Sequence, residues 1–219
     1  MGVETSGPPY KLAVFDFDGT LADTFDWFLS IADQTADRYG FLRLDRSNME
    51  ALRGLSAREL LKRQRVPSWK LPLIARDMRA AAGRDCHAFQ LFPGAADALV
   101  ALSEAGVKLA LVSSNAETNI RRVLGTELAN RVGVWACGAS LFGKAAKLRA
   151  VCKAAGVRPD QAIKVGDELR DIDSAREAGL AFGAVAWGFT RPEALRAAEP
   201  ERLFESFEDL AAQLTGAAA

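Results

Sequence analysis

The sequence lacks an excess of charge, paired cysteines and any long apolar run. Lys and Arg number 28, Asp and Glu also 28, and the formal net charge is +0. No basic surplus points to nucleic acid or to an anionic membrane surface as a partner. The three cysteines, Cys86, Cys137 and Cys152, form no CxxC pair and are odd in number. The simplest account is free thiols in a reduced, cytoplasmic compartment. No uninterrupted apolar stretch approaches bilayer-spanning length. Met1 to Pro9 is polar, contains Gly and Pro and has no apolar centre, so residues 1–9 read as an N-terminal tail and not a signal peptide. There is no internal repeat, and the Ala-rich C-terminus is the one low-complexity stretch.

What is present is the material of an ordinary globular protein: 219 residues, 49% hydrophobic and 26% charged, enough for a sizeable core. The stretch Lys11 to Thr24, KLAVFDFDGTLADT, organises the rest. Leu12 to Phe15 is an apolar run of the kind that fills a strand buried on both faces. Asp16 and Asp18 follow, with Phe17 between them. Alternate side chains of an extended segment share a face. Both acids therefore project to one side at the strand's C-terminal end, where open α/β sheets place their ligands. Gly19 permits a turn and Thr20 adds a hydroxyl. Two close carboxylates repel each other, and a hard cation with oxygen ligands is the usual remedy.

The chain after Thr24 is helical in pattern as far as Phe89. Phe25, Phe28, Leu29, Ala32, Ala36 and Tyr39 recur at helical spacing, with Gly40 as a C-cap. Ser56 and Glu59 have capping-box spacing. Trp69 to Ala82 reads as a helix stopped by Gly83. Trp27, Phe28 and Trp69 read as core, and His87, the only histidine, as structural. An all-α block between buried strands is expected to form a small separate bundle lying over the strand ends. The remainder alternates helix and strand: Val107 to Val112, Arg131 to Cys137, Ala162 to Val165 and Ala181 to Trp187 are strands, with a short one at Leu203-Phe204. Leu141 to Lys144 leads into a helix, Glu117 to Leu124 is another, and a loop follows Gly188. The expected fold is α/β, a doubly wound, mostly parallel, Rossmann-like sheet with a small inserted all-α cap. Residues 10–22 and 90–215 form the core domain and 23–89 the cap.

Four polar clusters fall just past apolar strands or before a helix: Asp16/Asp18, Ser113-Ser114-Asn115, Lys144, and Gly166-Asp167 with Asp171. In a parallel sheet all four converge on one edge. Singly, each has an ordinary alternative: Ser113 as a helix cap, Lys144 as a solvated lysine, Asp167 as a turn residue. Together they suit a phosphate monoester dianion, whose charge must be neutralised before a carboxylate can approach.

DFDGTLADT resembles the first motif of the haloacid dehalogenase-like hydrolases, mostly phosphatases, and the resemblance extends over roughly Lys11 to Leu214. Ser113 stands at that family's second motif, Lys144 at the third, and Val165 to Asp171, VGDELRD, resembles the fourth. The segment Val185 to Leu195 is similar to phosphoglycolate phosphatase-like members. The resemblance implies Asp16 as nucleophile and Asp18 as acid/base. It implies Mg²⁺ held by Asp16, Asp167 and the Asp18 backbone carbonyl. Ser113, Ser114 and Lys144 would bind the substrate phosphate, supported by Thr20, Asn115 and Asp171. Lys144 is followed by Ala145 where relatives often have Pro, and Lys147 is the alternative lysine. In the cap, Arg53 and Gly54, with Arg58 nearby, are candidate specificity residues, with solvated arginines as the plain alternative. The implied substrate is a small phosphorylated metabolite. A sugar phosphomutase on the same scaffold and a catalytically idle binding protein are the alternatives.

Overall fold

The computed structural model describes residues 7–138 and 143–216. Most of the N-terminal tail, and Leu141-Phe142 ahead of Lys144, lie outside the described residues. The chain runs β1 (Leu12–Phe15), β2 (Ala22–Asp23), α1 (Phe25–Tyr39), α2 (Met49–Leu52), α3 (Ala57–Arg63), α4 (Leu71–Asp85), β3 (Gln90–Leu91), α5 (Ala95–Glu104), β4 (Lys108–Val112), α6 (Glu117–Arg131), β5 (Val132–Ala136), α7 (Lys144–Ala155), β6 (Ala162–Gly166), α8 (Leu169–Ala178), β7 (Ala181–Val185), α9 (Pro192–Ala197), β8 (Arg202–Phe204) and α10 (Phe207–Thr215).

Six strands form one sheet in the order β5-β4-β1-β6-β7-β8, and every pairing in it is parallel. The sheet is an α/β, Rossmann-like layer with β1 near its centre. All four β1 residues are buried. Ala13 and Phe15 pack into one apolar layer with Leu99, Leu102 and Ile120, and Leu12 and Val14 into the other with Leu148, Ile172 and Phe182. This period-two split is why LAVF reads as continuously apolar. Because β4 and β6 flank β1, the strand order diverges there and leaves a crevice at the C-terminal ends.

The segment between Thr24 and Phe89 is helical. The chain enters and leaves it through a two-residue antiparallel ribbon, Ala22 opposite Leu91 and Asp23 opposite Gln90. That ribbon is too short to leave a pattern in the sequence. The Ser56–Glu59 capping box is present, opening α3. Three boundaries differ from expectation. Gly83 does not stop α4, which continues to Asp85; an added Cβ at Gly83 would lie 3.4 Å from Asn119 Oδ1, so the missing side chain lets α4 approach α6. Helix α6 runs on to Arg131 across a break at Gly125, φ 72° and ψ 169°. Pro192 opens α9 at its first turn instead of lying in a loop. Trp69, expected in the core, is 70% exposed. Trp27 is partly buried against the main core, its indole N–H donating to Asp85 at 2.9 Å. His87 is exposed.

Candidate active site

Asp16 lies one residue beyond β1, and its backbone N–H donates to Val165 O at 2.9 Å. This bond sets the Asp16 backbone against the end of β6, just before Asp167. Asp16 Oδ1 accepts the Phe17 N–H at 2.8 Å, and Oδ2 accepts from Lys144 Nζ at 3.0 Å. Burial alone would push the Asp16 carboxyl up. Lys144, Lys164 and the Phe17 N–H outweigh it and hold the group well below the usual carboxylate range.

Asp18 stands two residues on. It accepts from Thr24 Oγ1 at 3.1 Å and from Asn115 Nδ2 at 3.3 Å. Burial and the neighbouring Asp16 charge prevail over these donors and push its pKa up to about 7. The two acids of one motif therefore have opposite protonation preferences.

Asp167 follows β6 directly. Its Oδ1 accepts from Thr20 Oγ1 at 2.9 Å and its Oδ2 from the Phe189 N–H at 2.8 Å. Burial first, then the charge of Glu168, pushes its pKa up to about 8. Two glycines make room for it. Gly19 holds φ +72°, and a Cβ there would lie 2.4 Å from Asp167 Oδ2; a Cβ at Gly188 would lie 2.1 Å from Asp167 Cβ. The first glycine thus serves the turn and the carboxylate at once. Gly188→Ala is expected to destabilise the fold by about 1–3 kcal/mol through overpacking, read as a lower melting temperature of the purified protein.

Lys144 begins α7 after Gly143, which holds φ +81°. Its Nζ reaches Asp171 Oδ1 at 2.5 Å as well as Asp16. Burial works against its charge, but Asp16 and Asp171 raise its pKa above the ordinary lysine value. Of the two candidate lysines, Lys144 is the one that touches the acids. Ser113 is fully buried, its hydroxyl accepting the Asn115 N–H at 3.1 Å. It does not cap α6, whose N-cap is Ala116 with no side-chain bond. Asn115 Oδ1 accepts from Ala116 N and Asn119 Nδ2, which aims its amide at Asp18. Ser114 lines the cavity described below.

Residues that no sequence motif marks stand among these. Lys164, in the middle of β6, is fully buried. Its Nζ donates to Val165 O at 2.9 Å and lies 3.8 Å from Asp171 Oδ2 and 4.0 Å from Asp16 Oδ2. Burial lowers its pKa, partly opposed by Asp16 and Asp171. A lone lysine inside the run AIKV was the available signal. Arg170 pairs with Glu168 at the rim. Arg53 lines the cavity, but its guanidinium donates to Phe189 O at 2.9 Å and Gly188 O at 3.0 Å. Gly54 lies against the Arg191 side chain. Arg58 is exposed and outside the cavity lining.

A cavity of about 330 Å³ lies between the helical segment and the strand ends, reached by Asp18, Ser114, Asn115, Glu168 and Arg170 from the sheet side. Asp18, Glu168 and Arg170 line it, and next to them the carboxylates of Asp16, Asp167 and Asp171 face the cations Lys144 and Lys164 without reaching its lining. With every group ionised, negative charge is in excess by two. Among the described residues no group of three or more His, Cys, Asp or Glu is arranged as a metal cage. The implied set of two carboxylates and one backbone carbonyl is not such a cage. The surplus of negative charge, and an Asp167 whose pKa burial and Glu168 push up, both fit a divalent ion with hard oxygen donors.

The structure is thus a parallel α/β sheet with paired acids, a hydroxyl and a lysine gathered at its strand ends. The profile of the haloacid dehalogenase-like hydrolase family matches residues 13–185. The chain belongs to that family, in its phosphoglycolate phosphatase-like branch. It is 34% identical over 203 residues to phosphoglycolate phosphatase of Synechococcus elongatus, covering 92% of this chain and 96% of the relative. To phosphoglycolate phosphatase of Agrobacterium fabrum it is 29% identical over 222 residues, covering 94% and 93%. Its fold is similar to that of CbbY from Rhodobacter sphaeroides in complex with phosphate, with TM-score 0.69, 25% identity and coverage of 94% and 99%. A haloacid dehalogenase-like family hydrolase from Streptococcus pneumoniae superimposes with TM-score 0.75, 21% identity and coverage of 93% and 98%. Among the described residues no helix is long and apolar enough to cross a membrane.

Proposed function

We propose that the chain is a Mg²⁺-dependent phosphatase of small phosphorylated metabolites, acting through an aspartyl-phosphate on Asp16. One observation carries the reading. Two carboxyls two residues apart meet opposite surroundings: Asp16 takes the Lys144 ammonium at 3.0 Å, while Asp18 meets the neutral donors Thr24 and Asn115 beside the Asp16 charge, which drives the first toward the anion and the second toward the acid. Groups split in this way are the signature of a nucleophile beside a general acid.

Asp16 Oδ attacks phosphorus in line with the leaving alcohol. Asp18 gives its proton to that alcohol, and its carboxylate then takes one from the water that hydrolyses the acyl phosphate. Ser113, Ser114 and Lys144 bind the non-bridging oxygens. Asp16, Asp167 and the Asp18 carbonyl would hold Mg²⁺, which when bound would supply positive charge to offset that of the phosphate dianion. Thr20 and the Phe189 N–H orient Asp167, and Asp171 orients Lys144. Asn115 holds Asp18. Residues 23–89 act as a cap over the core formed by 10–22 and 90–215. The ribbon at both crossings and the shared cavity support that division. The free thiols of Cys86, Cys137 and Cys152 suit the cytoplasm.

The test is release of inorganic phosphate from p-nitrophenyl phosphate and a panel of phosphorylated metabolites, with Mg²⁺ and after chelation. Phosphate release that stops on chelation is expected. Interconversion of phosphosugars without phosphate release would instead indicate a mutase, and no turnover an idle protein.

Stability should carry the same imprint. The unfolded value for Asp18 and Asp167 is 3.8, and folding raises them to about 7 and about 8. Their stabilisation is complete below the unfolded value and is lost as pH rises through the folded values. The metal-free protein should therefore melt at progressively lower temperature from about pH 4 to about pH 8, with no further loss from these groups above that. Added Mg²⁺ should raise the melting temperature most at the alkaline end, which differential scanning fluorimetry would show.

A further inference from the structure

We infer that Arg79 recognises a second anionic group on the substrate, a carboxylate carried by the alcohol part of the phosphomonoester. The inference rests on the phosphatase reading above and deepens it.

Three arginines line the cavity: Arg53, Arg79 and Arg170. Two are already engaged. Arg53 donates to the carbonyls of Gly188 and Phe189 and pairs with Glu50 at 3.4 Å. Arg170 pairs with Glu168. Arg79 makes no hydrogen bond, ion pair or ring contact among the described residues, although it is partly buried. The acids nearest it in sequence are taken. Asp77 accepts from Tyr39 at 2.7 Å and pairs with Arg38 at 3.0 Å and Arg76 at 3.1 Å. Asp85 accepts from Trp27 at 2.9 Å. A guanidinium has five N–H donors, and no nitrogen of Arg79 is among the fully buried unpartnered atoms of the described residues, so its donors are open to the cavity and free to meet a ligand. Its aliphatic neighbours on the same face of α4, Ile74, Ala75, Met78 and Ala82, offer no acceptor side chain.

Position says which anion would be met. Arg79 is one helical turn before Gly83, on the face of α4 that lines the cavity. Gly83 abuts Asn119, Asn119 donates to Asn115 at 3.0 Å, and Asn115 donates to Asp18. Arg79 thus stands on the cap side of the crevice, across from the residue proposed to protonate the leaving alcohol. A group on that alcohol, and not the phosphate held at Lys144, faces it. The charge balance agrees. Residues 25–89 hold 12 Lys and Arg against 8 Asp and Glu, in a chain whose formal net charge is +0. The cap side is positive and draws dianions and trianions inward. A planar carboxylate fits the fork of a guanidinium.

The experiment compares 2-phosphoglycolate with ethyl phosphate, which has a methyl group in place of the carboxylate. The ratio of their kcat/KM values is measured for the wild type, Arg79→Ala, Arg79→Gln and Arg79→Lys. Wild type is expected to favour the carboxylate substrate, and Ala and Gln to reduce that ratio by about 10- to 100-fold, the range of a charge-assisted hydrogen bond. Lys should restore part of it. Two neutral replacements of different size separate charge from packing, and melting temperatures check that each variant is folded. A ratio unchanged in both neutral variants, or an equal fall on both substrates, overturns the assignment while leaving the phosphatase reading intact. Absence of phosphate release from both substrates by the wild type overturns the phosphatase reading, and this assignment with it.

Discussion

Asp16→Asn should leave a folded protein whose kcat falls by on the order of 10⁴ or more, because it removes the proposed nucleophile and no other carboxylate is placed to act for it. Asp18 is held by Thr24 and Asn115 on the leaving-group side and does not take over the attack. Nor does Asp167, being held by Thr20 and the Phe189 N–H. The amide is nearly isosteric with the acid, so packing around Phe17 and Lys144 changes little. Its loss of charge also weakens the contact that Lys144 makes at 3.0 Å. The Asp171 contact at 2.5 Å remains, so the lysine is not left alone in a buried site. Steady-state phosphate release and a thermal melt, run on the same preparation, separate lost chemistry from lost folding. Retention of more than a tenth of the wild-type kcat would remove Asp16 from the nucleophile's role.

Asp18→Asn should lower kcat by about 10²- to 10⁴-fold, the usual contribution of a positioned acid or base. Its backbone carbonyl is unaltered, so Mg²⁺ affinity should change much less than turnover. The loss should depend on the leaving group. p-Nitrophenolate departs without help from an acid, whereas an alkoxide does not. The variant should therefore retain more phosphorylation of Asp16 from p-nitrophenyl phosphate than from an alkyl phosphate. The second step, attack of water, still lacks its base, so phosphoenzyme should accumulate. Burst kinetics under rapid mixing would show this. A uniform loss on both substrates with no burst would place the role of Asp18 elsewhere.

The positions that gather at the strand ends were legible because each lies just past an apolar stretch. Asp16 and Asp18 follow LAVF, Ser113 follows KLALV and Asp167 follows AIKVG. A parallel sheet carries such residues to one rim whatever their separation in sequence. Lys164 was not legible by that rule. It sits within the strand and points into the layer shared by α7 and α8, where a charge is tolerated only because Asp16 and Asp171 lie nearby. The turn at Gly188-Phe189 was hidden for another reason: it acts through a backbone N–H and through the absence of a side chain. The place of Arg53 between helices α2 and α3 is legible, but periodicity does not reveal that its donors go to the carbonyls of Gly188 and Phe189. Trp69 shows the limit of helical spacing, which identifies a stripe without saying that anything covers it. Helix α9 and the extension of α6 were missed at Pro192 and Gly125, residues that interrupt sequence patterns without always interrupting structure.

The account stands or falls on a covalent bond between Asp16 and phosphorus. The direct measurement is borohydride reduction of enzyme quenched during turnover, followed by peptide mass spectrometry. An acyl phosphate at position 16 is reduced to the alcohol, so homoserine is expected there, dependent on both substrate and Mg²⁺ and most abundant in Asp18→Asn. Unmodified aspartate at position 16 in enzyme that is turning over, with accumulation engineered by that substitution, would contradict it.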